Sequence, residues 1–280
     1  MKKILFPTDF SDASNKAFIY ALQLAGKTGA SITTIHGFKK PDISAVHLPV
    51  SLQDFYDSVD LYEFESYKDA IPPLVDMANA YGFGHVELNH VLKEGETVET
   101  ILKIAGQEKA DLIVMGTTGA RGLKEIFLGS VTGEILENAC CPVLAVPEKS
   151  DFDGVIDNIG FATSYHEEEL KALETLSALF DVFNPEIHCI NVDLSHTEEI
   201  THQMDKFAVH LKQHGKNVST HVLEGTDFQE AVTDFLEQKH IDLFAMVTHK
   251  RSFIQELFHY SKTKMLSYHA STPVLALHVS

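Results

Sequence analysis

Short runs of apolar and β-branched residues alternate along this chain with longer stretches in which apolar positions return every three or four residues. In the first half the short runs predict strands at about 3 to 8, 31 to 37, 85 to 92, 111 to 116 and 142 to 147. The longer patterns between them predict helices near 12 to 27, 52 to 82, 96 to 108 and 129 to 139. Asp12, Thr97 and Ser130 stand near the expected helix starts, where short polar side chains cap open N–H groups. Strands that alternate with helices make βαβ units, and so a parallel sheet with helices on both faces.

The pattern is written twice. ADLIVMGT at 110 to 117 returns as IDLFAMVT at 241 to 248, and CPVLAVP at 141 to 147 returns as TPVLALH at 272 to 278, both 131 residues on. KKILFPTDFS is matched by DNIGFATSYH, and VLKEGE by VLEGTD. The chain therefore reads as a duplication with domains at 1–149 and 154–280, joined by the polar EKSDFDG around Glu148 to Gly154. The segment from Pro41 to Pro73 carries Phe55, Tyr56, Tyr62, Phe64 and Tyr67. It suggests a lid over a site or, the reading given more weight, an ordinary packed helix.

Composition narrows the function. With 44% hydrophobic and 22% charged residues and a mean hydropathy of -0.03, the chain suits soluble globular domains. No apolar run reaches the roughly 20 residues of a spanning helix, and the amino terminus reads as a first strand, not a signal peptide. Three cysteines, two of them the adjacent Cys140 and Cys141, make no disulfide framework and point to the cytoplasm. A net charge of -18 opposes nucleic acids and anionic membranes, so neither is an expected partner. A small anion can still be held by a local cluster of backbone N–H groups.

GTTGARGLKEIFLGSVTGEI offers such a cluster directly after the apolar run DLIVM. It follows G-x2-G-x9-G-[ST], with Gly116, Gly119, Gly129 and Ser130 in the marked places. Glycines let backbone approach a ligand closely, and a helix amino terminus favours an anion. A ligand-free glycine turn is the alternative. Asp9, at the end of the first strand, falls beside this loop in a doubly wound sheet. Its carboxylate suits ribose hydroxyls or an adenine amino group, or else an N-cap role.

Together ILFPTDFS, IHG, ADLIVMGTTGARGLKEIFLGSVT and CPVLAVP resemble the universal stress protein family in its tandem form, over nearly the whole chain. The resemblance implies two doubly wound α/β domains, each a five-stranded parallel sheet in the order 3-2-1-4-5 of the adenine nucleotide alpha hydrolase-like fold. It implies ATP at the glycine loop, with magnesium as an optional companion, and pairing of domains through their last strands. A homodimer stays open. Carried over by position, Asp9 meets ribose, Pro7 and Thr8 line the adenine pocket, and the Gly37 backbone meets the adenine edge. Gly116, Thr117, Gly119, Gly129, Ser130 and Val131 surround the phosphates. Arg121 and Lys124 offer charge near the γ-phosphate, with solvated surface side chains the reading given more weight. Thr118 stands where many members have histidine. The expected role is stress response through nucleotide binding, with a slow ATPase or phosphotransferase and a ligand-free scaffold as rivals.

The second half departs from the motif. The 131-residue offset sets Val247, Lys250 and Tyr260 where Gly116, Gly119 and Gly129 stand and keeps Ser261 opposite Ser130, while the match of DNIGFATSYH to KKILFPTDFS places Ser164 opposite Asp9. No ATP is expected there. Gly26, Lys27 and Thr28 mimic the end of a P-loop but close a helix, so Gly26 or Gly29 reads as helix-ending punctuation. Twelve of the sixteen histidines follow residue 150. His210 and His214, with His202 two turns earlier, could share a helix face, yet nothing nearby completes a metal set, and surface histidines or a pH response are the other readings. Cys140 and Cys141 are expected to pack beside a buried strand. No catalytic residues are assigned.

Overall fold

The computed structural model describes residues 1–41, 52–117, 129–193, 202–205, 207–209, 217–224, 228–247 and 271–278. In the first half β1 (Lys3–Pro7), α1 (Asp12–Thr28), β2 (Ser31–Phe38), α2 (Leu52–Ala80), β3 (Leu88–Glu94), α3 (Thr97–Glu108), β4 (Leu112–Gly116), α4 (Ser130–Asn138) and β5 (Val143–Val146) follow one another. The second half contributes β6 (Asn158–Ala162), α5 (Leu170–Phe180), β7 (Glu186–Asp193), β8 (Val218–Glu224), α6 (Phe228–Gln238), β9 (Leu243–Val247) and β10 (Val274–Leu277). The strands form one ten-stranded sheet, β3-β2-β1-β4-β5-β10-β9-β6-β7-β8. Each half thus has the order 3-2-1-4-5 with parallel neighbours, as expected. The β5–β10 pair is antiparallel, with Leu144 opposite Leu275.

Period-two alternation explains the layers. Ile4 and Phe6 of β1, with Leu112 and Val114 of β4, point to the face covered by α1, whereas Leu5, Ile113 and Met115 point to the face covered by α3 and α4. The first of these cores runs on through Leu275, Leu277, Ile159 and Phe161 to α5, so one apolar layer spans both halves. α6 covers the other face of the second half with Val232, Phe235 and Leu236.

The helix caps fall one residue ahead of the expected Asp12, Thr97 and Ser130, at Ser11, Glu96 and Gly129. Gly29 ends α1 with φ of 72° and donates to Ala25 O. Gly26 lies inside the helix, where an added Cβ would stand 2.6 Å from the Phe83 ring. α2 is a packed helix: Tyr67, Leu74 and Ala78 are buried, while Leu61, Tyr62 and Phe64 face solvent. Cys141 is buried ahead of β5, as expected, but Cys140 is exposed at the bend between α4 and that strand and does not pack there.

The connection between the halves is pinned. Phe152 stacks on Tyr20 of α1, centroids 4.2 Å apart, and meets Phe183 edge-on at 6.3 Å. Its carbonyl accepts from Gln23 Nε2 at 2.9 Å. Among the described residues no helix is long and apolar enough to cross a membrane.

Candidate functional site

In the first half the strand order reverses between β1 and β4, the place where open α/β sheets leave a crevice at the strands' carboxyl ends. Ile4 pairs with Leu112 and Leu5 with Ile113, so continuing the register sets Thr8 level with Gly116. β2 overruns the last β1 pair, Pro7 with Ile35, by His36, Gly37 and Phe38. Pro7, Thr8, Asp9, Gly37, Gly116 and Thr117 therefore border one end of the sheet. Gly119 and Arg121, with Thr118 and Lys124, lie outside the described residues.

The turn after β1 is tied from all sides. Thr8 N donates to Ile35 O at 2.9 Å, and the Thr8 carbonyl is 2.7 Å from His36 Nδ1, which must be the protonated nitrogen to donate there. Thr8 Oγ1 lies 2.9 Å from Ser14 Oγ and accepts from Phe10 N at 3.0 Å, which holds Phe10 at φ of 60°. Phe10 then packs on His36 and Tyr67, 5.3 and 5.8 Å between centroids. Asp9 stays exposed. Its Oδ1 accepts from Ser11 N at 3.1 Å and Ser11 Oγ at 2.6 Å. Asp9 is thus not the cap of α1; it orients Ser11, whose Oγ accepts from Ser14 N.

At α4 the amino terminus is closed differently. Gly129 is the N-cap and makes no side-chain cap bond, and the first N–H groups of a helix have no partner within the helix itself. Gly129 N itself donates to Thr117 O at 2.7 Å, and Thr117 N to Val146 O at 3.1 Å. The amides of Gly129 and Thr117 are therefore committed to backbone carbonyls, and Ser130 is exposed at the first position of the helix. An added Cβ at Gly129 would come into contact with Thr117 O at 3.4 Å. Thr132 Oγ1, donating to Gly116 O at 2.9 Å, fastens the helix start to the end of β4. Gly37 likewise leaves room, since a Cβ there would only touch Thr97 Cα at 3.5 Å.

The second half repeats the turn and closes it. Tyr165 stands at φ of 60°, its N donating to Thr163 Oγ1 at 2.8 Å, and Asn191 Nδ2 donates to Thr163 O at 2.8 Å. Where Ser14 would stand is the buried Glu169, whose Oε2 accepts from Thr163 Oγ1 at 2.6 Å and Ser164 N at 2.7 Å. The Tyr165 hydroxyl donates toward Cys189 O and His221 O, at 2.9 and 2.5 Å, and accepts from His221 N at 3.0 Å. The buried Val247 ends β9 where Gly116 ends β4. Lys250, Tyr260 and Ser261 lie outside the described residues.

A model of the universal stress protein family matches residues 1–147, more than half of the 280. The chain belongs to the universal stress protein family. Universal stress protein MJ0531 of Methanocaldococcus jannaschii is 37% identical over 146 residues, spanning 52% of this chain and 81% of that protein. Universal stress protein MJ0577 of the same organism is 31% identical over 159 residues, 53% of this chain and 96% of the relative. The crystal structure of a universal stress protein from Archaeoglobus fulgidus covers 99% of this chain and 96% of its own at a TM-score of 0.71 and 21% identity, which shows one fold shared across both halves.

One polar cluster in this family member has no sequence signal. His188 Nδ1 is 2.8 Å from Ser219 Oγ and 3.2 Å from His221 Nε2, and Ser219 Oγ is 3.0 Å from that same His221 nitrogen. His188 Nε2 faces Asn158 Oδ1 at 3.2 Å. Burial lowers both imidazoles from their ordinary range. Three parallel strands bring these residues together, which linear spacing does not reveal. His202 is described, whereas His210 and His214 are not. Among the described residues no group of three or more His, Cys, Asp or Glu is arranged to hold a metal.

Proposed function

We propose that this universal stress protein binds ATP in its first domain, 1–149, and serves stress response in the cytoplasm as a nucleotide-binding protein. The observation that carries the reading is α4's amino terminus, capped by Gly129 without a side-chain bond and tied to the end of β4, the strand next to β1, whose own turn carries the exposed Asp9. Ser130 and Val131 N–H groups, with the Ser130 hydroxyl, would hold phosphate oxygens. Asp9 would take ribose, and the Pro7–Thr8 and Gly37 backbone would take adenine. Gly119 and Arg121 complete the proposed set, and magnesium, where present, neutralises phosphate charge.

The second domain, 154–280, holds no ATP in this proposal. The buried Glu169 carboxylate and the bonded Tyr165 hydroxyl occupy the equivalent turn, and an anion would meet like charge there. The two domains work as a pair through β5 and β10.

Isothermal titration of ATP into the full chain and into Gly129→Tyr tests the proposal. The variant copies the residue of the second half. One site per chain, weakened at least about 100-fold in the variant, is the expected result. No heat from the wild-type chain, or two sites per chain, defeats it.

A further inference from the structure

The second half reaches beneath the helix that carries the proposed site. Ala276 of β10 pairs with Val143 of β5 and lies in the same buried cluster as Ile135, Leu136 and Ala139 at the carboxyl end of α4. Just past β10, His278 Nε2 stands 3.0 Å from Leu136 O. A carbonyl only accepts, so Nε2 carries the hydrogen. Leu136 is in the last turn of α4, among the carbonyls for which a helix has no internal partner. The offset of 131 residues that aligns TPVLALH with CPVLAVP sets His278 against Pro147, which has no side-chain donor. The second half thus supplies this contact, and the first half has no counterpart to return.

We infer that His278 is a positioning residue through which the second half holds α4 in place and so sets the affinity of the phosphate site at the other end of that helix; the inference rests on the nucleotide reading above. A helix of nine residues is too short to be stable alone, so its attachments decide where it lies. The amino end is fastened by Gly129 N to Thr117 O and by Thr132 Oγ1 to Gly116 O. The carboxyl end is held by the packing of Ile135, Leu136 and Ala139 and by the His278 bond. Without that bond packing alone fixes the last turn, and the helix can tilt about its amino-terminal ties. Ser130 and Val131 N–H groups then lose alignment, to which hydrogen bonds respond steeply.

His278→Leu and His278→Gln in the full chain separate this role from simple stabilisation, because glutamine keeps an N–H donor at similar reach. ATP affinity is measured by titration, and amide exchange in α4 is followed without nucleotide. Expected are an affinity about five-fold weaker in the leucine variant, faster exchange across α4, and recovery of both with glutamine. An unchanged affinity in His278→Leu overturns the inference, even if its unfolding midpoint falls, as does a glutamine variant that is as weak as leucine. If the wild-type chain binds no ATP, the nucleotide reading fails instead. The exchange data then judge the splint alone, and unchanged exchange in His278→Leu refutes it.

Discussion

The turn after β1 and the turn after β6 share a skeleton and differ in what fills it. Both place an aromatic residue at φ of 60°, both bond a threonine hydroxyl to the amide two residues on, and both tie the threonine N–H to an isoleucine carbonyl on the next strand at 2.9 Å. The first turn leaves a carboxylate at the surface and a small serine inside. The second draws the carboxylate inside and locks it onto the chain. Backbone geometry that the fold requires is thus common to both copies, whereas the first keeps its carboxylate at the surface, bonded to Ser11, and the second buries its carboxylate against Thr163 and Ser164.

Exchanging residues between the copies can break this contrast. Within the two turns the largest effect is expected from Asp9→Ser, which gives the first turn the residue of the second. Loss of a charged hydrogen bond to ribose costs about 1.5–3 kcal/mol, or roughly 10- to 150-fold in ATP affinity by titration. An affinity within two-fold of wild type would remove Asp9 from the site. Tyr165→Phe, the reverse exchange, deletes a hydroxyl that joins β7 to β8. It should cost about 1.5 kcal/mol in urea unfolding and leave ATP affinity alone. A parallel loss of affinity would mean that the second turn is no mere joint.

The smallest effect concerns pH. Burial is the main force holding His188 and His221 below 6.5; Lys239 pushes the same way and Glu186 opposes. Such a histidine takes its proton more readily unfolded, so its stabilisation is complete above 6.5 and is lost as pH falls below it. His90, on β3, is the one histidine of the described first half with a resolved shift, also lowered by burial. From pH 7 to 5, protection at β7 and β8 amides, taken relative to the intrinsic exchange rate at each pH, should fall more than at β1 and β2, and His221→Gln should flatten the difference. An equal loss of protection in both halves would dissolve the contrast.

The strands and most helix limits are legible in the sequence, because buried parallel strands are written as unbroken apolar runs and the helices as periodic ones. The caps slip by one residue since Ser11 and Gly129, less conspicuous than Asp12 and Ser130, carry the turn. The proposed site is legible as far as glycines and Asp9 mark it. What escapes the sequence depends on partners distant along the chain. Phe152 reads as part of a polar linker until Tyr20 is found against it, and nothing in the sequence marks Ser219 until His188 and His221 flank it. Glu169 looks like one more acid in an acidic run, and only its burial reveals the closed turn.

The pinned connection at Phe152 also changes how the β5–β10 pair responds to abundance. Two separate five-stranded units would meet by collision and part on dilution. Here a short tether confines each to the neighbourhood of the other, at an effective concentration on the order of millimolar for flexible linkers of such length, and the stacked ring narrows that volume further. The shared sheet is therefore governed by a unimolecular equilibrium, as complete in a cell holding a few copies of the chain as in one filled with them.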